Sequence, residues 1–152
     1  MTTNGPVDLV RLADGENSVV VRVAGPTTTN GPFWDGCFEA DITVASAFAN
    51  GRLTGVCLLP EDLDDWAAAL DRLTAGEAVD WMDDGRNPEI RIVPRGPYGT
   101  PHGPLDAIEV TVRDAAASLT STTVLVRLPD GWIDAQRHRL AQVRTAWPFA
   151  PQ

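Results

Sequence analysis

The side chains able to do chemistry are few and scattered: His102 and His138, Cys37 and Cys57, and a dense run of carboxylates between Pro60 and Glu89. A structural zinc site needs about four Cys or His ligands at short spacing, and no such grouping occurs. Nucleophilic catalysis calls for a serine on a Gly-x-Ser-x-Gly elbow or a thiol activated by a neighbouring base. The elbow is absent, and both cysteines lie in apolar runs, where a thiol packs as a small hydrophobe. Gly96-Pro97-Tyr98-Gly99 lacks the basic anchor and the following helix of a phosphate-binding loop. The expectation is a non-enzymatic protein without catalytic residues, cofactor or metal.

The carboxylate run is the feature that stands above background. Glu61, Asp62, Asp64, Asp65, Asp71, Glu77, Asp80, Asp83, Asp84 and Glu89 face only Arg72 and Arg86, so this segment holds nearly all of the net charge of -9. It fails as a calcium loop, because Met82 takes the second ligand position counted from Asp80 and Arg91 stands where the bidentate Glu belongs. Nothing in the spacing sets two carboxylates across a cleft for acid/base work. A solvated helix face followed by a polar turn is one account of it. The other is a docking surface for a basic protein, with Glu61, Asp64, Asp65, Asp80, Asp83 and Asp84 as the candidate partner-binding residues.

Composition narrows the classes further. With 21 acidic against 12 basic residues, and no lysine at all, the chain lacks the cationic face that nucleic acid or anionic lipid requires. Neither nucleic acid nor membrane is an expected partner. The Arg-, Ala- and Gly-rich usage resembles codon bias in a GC-rich bacterium. Two cysteines in a chain with an ample core do not imply a disulfide framework. No signal-like segment opens the sequence and no apolar run reaches bilayer length, so the expected setting is a reduced cytoplasm.

The elements that must position these residues follow from periodicity. Strands are expected at Val7–Leu12, Ser18–Ala24, Cys37–Ser46, Leu53–Leu59, Ala78–Met82, Glu89–Val93, Ile108–Asp114 and Thr122–Leu128. Loops are expected over Gly25–Gly36 and Pro94–Pro104, where prolines interrupt any ladder. A helix over Pro60–Ala75 is announced by Pro60 at a first helical position, Glu61 and Asp62 in the first turn, and Gly76 as a stop. Its apolar stripe is Leu63, Trp66, Leu70 and Leu73. A second helix near Ile133–Trp147, capped by Asp130 and stopped by Pro148, buries Trp132, Gln136, Leu140, Val143 and Trp147. No internal repeat is visible. The reading is a single soluble α+β domain over residues 1–152: one mainly antiparallel sheet with a central helix and a C-terminal helix packed against it.

Three segments carry a resemblance: Leu12-Ala13-Asp14-Gly15-Glu16-Asn17-Ser18-Val19-Val20-Val21-Arg22-Val23; Pro60-Glu61-Asp62-Leu63-Asp64-Asp65-Trp66 running to Pro88-Glu89-Ile90-Arg91-Ile92; and Asp130-Gly131-Trp132 to Trp147-Pro148. Together they resemble an uncharacterised family of short actinobacterial proteins, a domain of unknown function, over nearly the whole chain. The resemblance implies no activity and no functional residues. One departure is Leu59, which stands where such sequences place a small capping residue, leaving the first turn to lean on its acidic side chains. More distantly, the plan is similar to small acidic immunity proteins of bacterial toxin systems, which implies an immunity or antitoxin-like role. From another class, a small-molecule-binding or accessory domain is the alternative, with a pocket near the 94–104 loop rimmed by Trp34, Tyr98 or His102.

Overall fold

A computed structural model describes residues 5–26, 37–85, 87–95 and 107–147. Among these residues the chain forms eight strands and two helices, in the order β1 (Val7–Ala13), β2 (Ser18–Pro26), β3 (Phe38–Ala45), β4 (Asn50–Leu58), α1 (Pro60–Thr74), β5 (Val79–Trp81), β6 (Glu89–Arg95), β7 (Ala107–Arg113), β8 (Ser121–Val126) and α2 (Trp132–Ala146). The fold is α+β. Alternation decides each strand's inner face: Val19, Val21 and Val23 of β2, and Phe38, Ala40, Ile42 and Val44 of β3, are all buried. The stripe Leu63, Trp66, Leu70 and Leu73 does the same for α1.

Instead of the single sheet expected, the strands form two four-stranded antiparallel meanders, β1-β2-β3-β4 and β5-β6-β7-β8. Local periodicity shows which residues point inward but not which strands pair, and α1 breaks the ladder between β4 and β5. Each meander is followed by one helix, so the chain is the same four-strands-then-helix unit built twice. That internal repeat escaped the sequence reading because few identities support it. The clearest is Asp14-Gly15-Glu16-Asn17 after β1, which returns as Asp84-Gly85-Arg86-Asn87 after β5.

The two halves are interlocked. The inner faces of both sheets and both helices contribute to one core cluster. Trp66 of α1 packs on Trp81 of β5, in the opposite half, with ring centroids 4.9 Å apart. Correspondingly, Gln136 of α2 reaches the backbone of Arg11 in β1, accepting from its N–H at 2.9 Å and donating to its carbonyl at 3.0 Å. The repeated turns also cross over: Asn17 donates to the Leu125 carbonyl of β8, and Asn87 to the Cys57 carbonyl of β4, both at 2.7 Å.

Asp14 organises the first of these turns. Its carboxylate accepts from the backbone N–H groups of Glu16 and Asn17, each at 2.7 Å, and from that of Arg127 beyond β8 at 2.9 Å. The Arg127 bond leads, with those from Asn17 and Glu16, in holding the carboxyl below its ordinary value of 3.8. A group depressed in the folded state contributes stability that is present above its unfolded pKa and lost as pH falls through the folded one. We expect Asp14→Ala to cost about 1–2 kcal/mol at neutral pH. The advantage of the wild type over Asp14→Asn should shrink as pH falls below 3.8. Urea titrations at a series of pH values check this; an advantage that grew with acid would reject it.

Four local expectations need correction. Cys37 and Cys57 are not separate core thiols but a disulfide, with Cα atoms 5.7 Å apart, at the edge pairing of β3 and β4. Sequence separation hid a neighbour relation that antiparallel pairing creates, and the argument from free thiols for a reduced setting goes with it. Asp130 does not cap α2; Gly131, at φ 82°, holds the N-cap with no side-chain bond. Gly25 and Pro26 belong to β2 rather than to a loop. Gly25 has φ 134° and lies beneath the Trp147 indole, where a Cβ would sit 3.4 Å from the ring. Pro94 pairs with Ile108 within β6–β7; β5 extends only along Ile90–Ile92, so β6 is an edge at that proline and its missing N–H is tolerated.

Candidate functional site

The acidic run folds into a corner where α1 meets β5 and the turn that follows. At α1's first turn the N-cap residue Leu59 offers no side-chain acceptor, and the Asp62 carboxylate reaches back to accept its backbone N–H at 2.8 Å. That is the use of acidic side chains which Leu59 in the cap position leads one to expect. The Trp81 indole N–H donates to the Asp62 carbonyl at 2.8 Å and clamps β5 to the same turn. Next to it Met82 adopts φ 62°, unusual for a residue with a side chain, while staying buried. This left-handed residue turns the chain out of β5 and into Asp83-Asp84-Gly85.

Between helix and turn lies a concavity of about 310 Å³ lined by Asp62, Asp65, Asp80, Asp83 and Asp84, with Arg72 as its basic side chain among the described residues. Asp80 is engaged by Arg91, whose guanidinium donates to both of its oxygens at 3.0 and 2.8 Å. Arg72 donates to the Ala78 carbonyl at 3.2 Å. Among the described residues Asp65 and Asp83 have no ion-pair partner, and both are exposed. The chemistry on offer is the binding of a guanidinium or ammonium group by several carboxylates.

Helical geometry divides the six candidates. Asp62, Asp65 and Arg72 fall on one stripe of α1, the one facing the turn after β5, because residues three to four apart share a face. Asp64 lies one residue off that stripe. It faces α2, where Arg144 donates to it at 2.7 Å, and Asp71 two turns further on receives Arg137 at 2.9 Å. Thus Asp65, Asp80, Asp83 and Asp84 come together, Asp64 is part of an α1–α2 ion ladder, and Glu61 is exposed outside the concavity. Sequence reasoning left Asp62 and Arg72 off the site, although their spacing from Asp65 was the signal that could have placed them.

The remaining candidates contribute little to this corner. His138 is exposed on α2, whereas Trp34, Tyr98 and His102, with the expected pocket near the 94–104 loop, lie outside the described residues. Among the described residues no three His, Cys, Asp or Glu side chains group as metal ligands would. No helix among them is long and apolar enough to cross a membrane.

Comparison with protein-family models matches residues 7–148 to a family described as a family of unknown function, DUF5959. No curated protein and no solved structure matches the chain.

Proposed function

The chain belongs to the DUF5959 family, which brings no activity with it, and we propose that the protein is a non-enzymatic interaction domain whose acidic concavity receives a basic protein. The observation that carries this reading is the lining of five aspartates with, among the described residues, Arg72 as the one basic side chain. Carboxylates gathered round one concavity attract counter-charge, and a partner's Arg or Lys side chain would supply it. An antitoxin-like or immunity role is the sharpest version, since a basic toxin surface has the required sign.

The ion pairs decide which residues to test. Asp64 and Asp80 already have arginine partners, so reversing them perturbs the fold's own ladders. Asp65 and Asp83 have none among the described residues, so their charge is the part left for a partner. Tagged protein used to capture partners from an actinobacterial lysate, the host that the resemblance implies, should retain a stoichiometric basic protein that is released as salt rises. Asp65→Lys and Asp83→Lys should each weaken that capture by at least about tenfold, with the melting temperature unchanged. A partner retained equally by both variants would sink the assignment of this surface.

A further inference from the structure

The Cys37–Cys57 disulfide lies at the open end of the β3–β4 hairpin: Cys37 directly precedes β3, and Cys57 is the last residue but one of β4. The turn at the other end already brings the two strands together, so the bond acts locally, where paired strands fray. It belongs to one of the two repeated hairpins alone, since β7 and β8, the equivalent strands, contain no cysteine. The hairpin that carries it is the one whose last strand leads into the acidic corner.

Both walls of the concavity are attached to that strand end. Two residues beyond Cys57, Leu59 is the N-cap of α1, and its N–H is held by the Asp62 carboxylate at 2.8 Å; the helical wall starts there. The opposite wall, the turn with Asp83 and Asp84, returns to β4 through Asn87, whose buried side chain donates to the Cys57 carbonyl at 2.7 Å. The Asn87 backbone N–H donates to the Asp84 carboxylate at 3.4 Å. Nearer the core the walls are joined without Cys57, by the Trp66–Trp81 contact and by the bond from the Trp81 indole to the Asp62 carbonyl. Opening the disulfide therefore leaves the core join in place and loosens the outer turn. If the Cys57 carbonyl shifts, the buried Asn87 amide loses its partner, and the turn has to move with it.

We propose that the disulfide is a redox switch for the acidic concavity: oxidised, it fixes Cys57 and keeps the two walls at their spacing; reduced, it releases the turn. What the switch controls rests on the reading of the concavity as a binding site; the switch itself does not. Cys37 is buried and Cys57 partly exposed, so a dithiol reductant enters at the Cys57 sulfur. Its thiolate forms a mixed disulfide with Cys57 and expels the Cys37 thiolate, which takes up a proton. The second thiol of the reductant then displaces Cys57, leaving two protein thiols and the reductant as a cyclic disulfide. Two electrons and two protons pass from reductant to protein.

Hydrogen exchange of the full chain, oxidised and after dithiothreitol, tests the inference. On reduction the Leu59 and Asn87 amides should exchange about tenfold faster, while the Asp14 amide, bonded to the Asn17 carbonyl in the equivalent turn, keeps its protection. Asn87→Ala cuts the link with the disulfide intact; the amide at position 87 should then exchange fast in the oxidised chain and respond no further to the reductant. A hexa-arginine peptide at low salt should bind the oxidised form at least about threefold more tightly than the reduced one. If the peptide binds neither form while the exchange difference holds, the reading of the concavity as a binding site fails and the switch stands. Equal protection of Leu59 and Asn87 in both forms, equal binding of the peptide by both, or a reduced chain that unfolds as a whole overturns the switch.

Discussion

Trp66→Ala is expected to destabilise the protein by about 3–5 kcal/mol, a large share of the roughly 5–15 kcal/mol that holds a domain together. Trp66 is fully buried, and its ring packs on Trp81 at 4.9 Å and a tilt of 40°. Because α1 closes the first half while β5 opens the second, this pair is a principal join between them. Truncation removes the apolar transfer energy of an indole and leaves a cavity where two elements of different halves meet. The damage spreads along named bonds: Trp81 is tied to the Asp62 carbonyl, and Asp62 to the Leu59 N–H. Trp66→Phe, which keeps most of the ring, should lose much less. Urea unfolding of the two variants measures the difference, and a loss under about 1 kcal/mol for alanine would mean the site repacks.

The second large effect is expected at Gln136, the buried polar residue of α2. Among the described strands β1 pairs only with β2, so on its other edge no described strand neighbours its backbone groups. Gln136 supplies what a strand would: an acceptor for the Arg11 N–H and a donor to the Arg11 carbonyl, with a further bond to the Trp132 carbonyl at 3.2 Å. Gln136→Ala leaves both partly buried peptide groups without their partner, at about 1–3 kcal/mol each, so a loss of about 2–4 kcal/mol is expected. Gln136→Glu still accepts but cannot donate to the carbonyl, and it buries a charge, so it should not rescue the loss. Chemical denaturation gives the magnitude, and hydrogen exchange of the Arg11 amide locates it. If that amide stayed as protected in the alanine variant as in the wild type, the edge-capping role would be wrong.

These two positions show how far the sequence could be read. Trp66 was legible as core, because Leu63, Trp66, Leu70 and Leu73 recur at helical spacing. Gln136 was legible as facing inward, because it stands between Trp132 and Leu140 on the stripe of α2. What each would touch was not legible. Trp81 and Arg11 lie in the other half of the chain, and no local period carries information about a partner at that separation.

The acidic corner divides the same way. Its sign and its approximate extent were written in the composition of Pro60–Glu89. That Asp64 would be bound by Arg144, while Asp65 opens onto the turn after β5, depended on where α2 came to lie. One residue along a helix turns a side chain by about 100°, enough to exchange a salt-bridged face for an open one.

By itself, then, the sequence determined the elements and their inner faces, because period 2 and period 3.6 are properties of neighbouring residues and the hydrophobic effect acts on them without regard to topology. It determined the charge balance for the same reason. The tertiary structure alone decided that the strands divide into two sheets, that the unit is built twice, that Cys37 meets Cys57, and which carboxylates share a concavity. Each of these is a pairing between residues distant in the chain. Such pairings are selected by the joint burial of whole faces, a cooperative condition to which no single segment holds the answer.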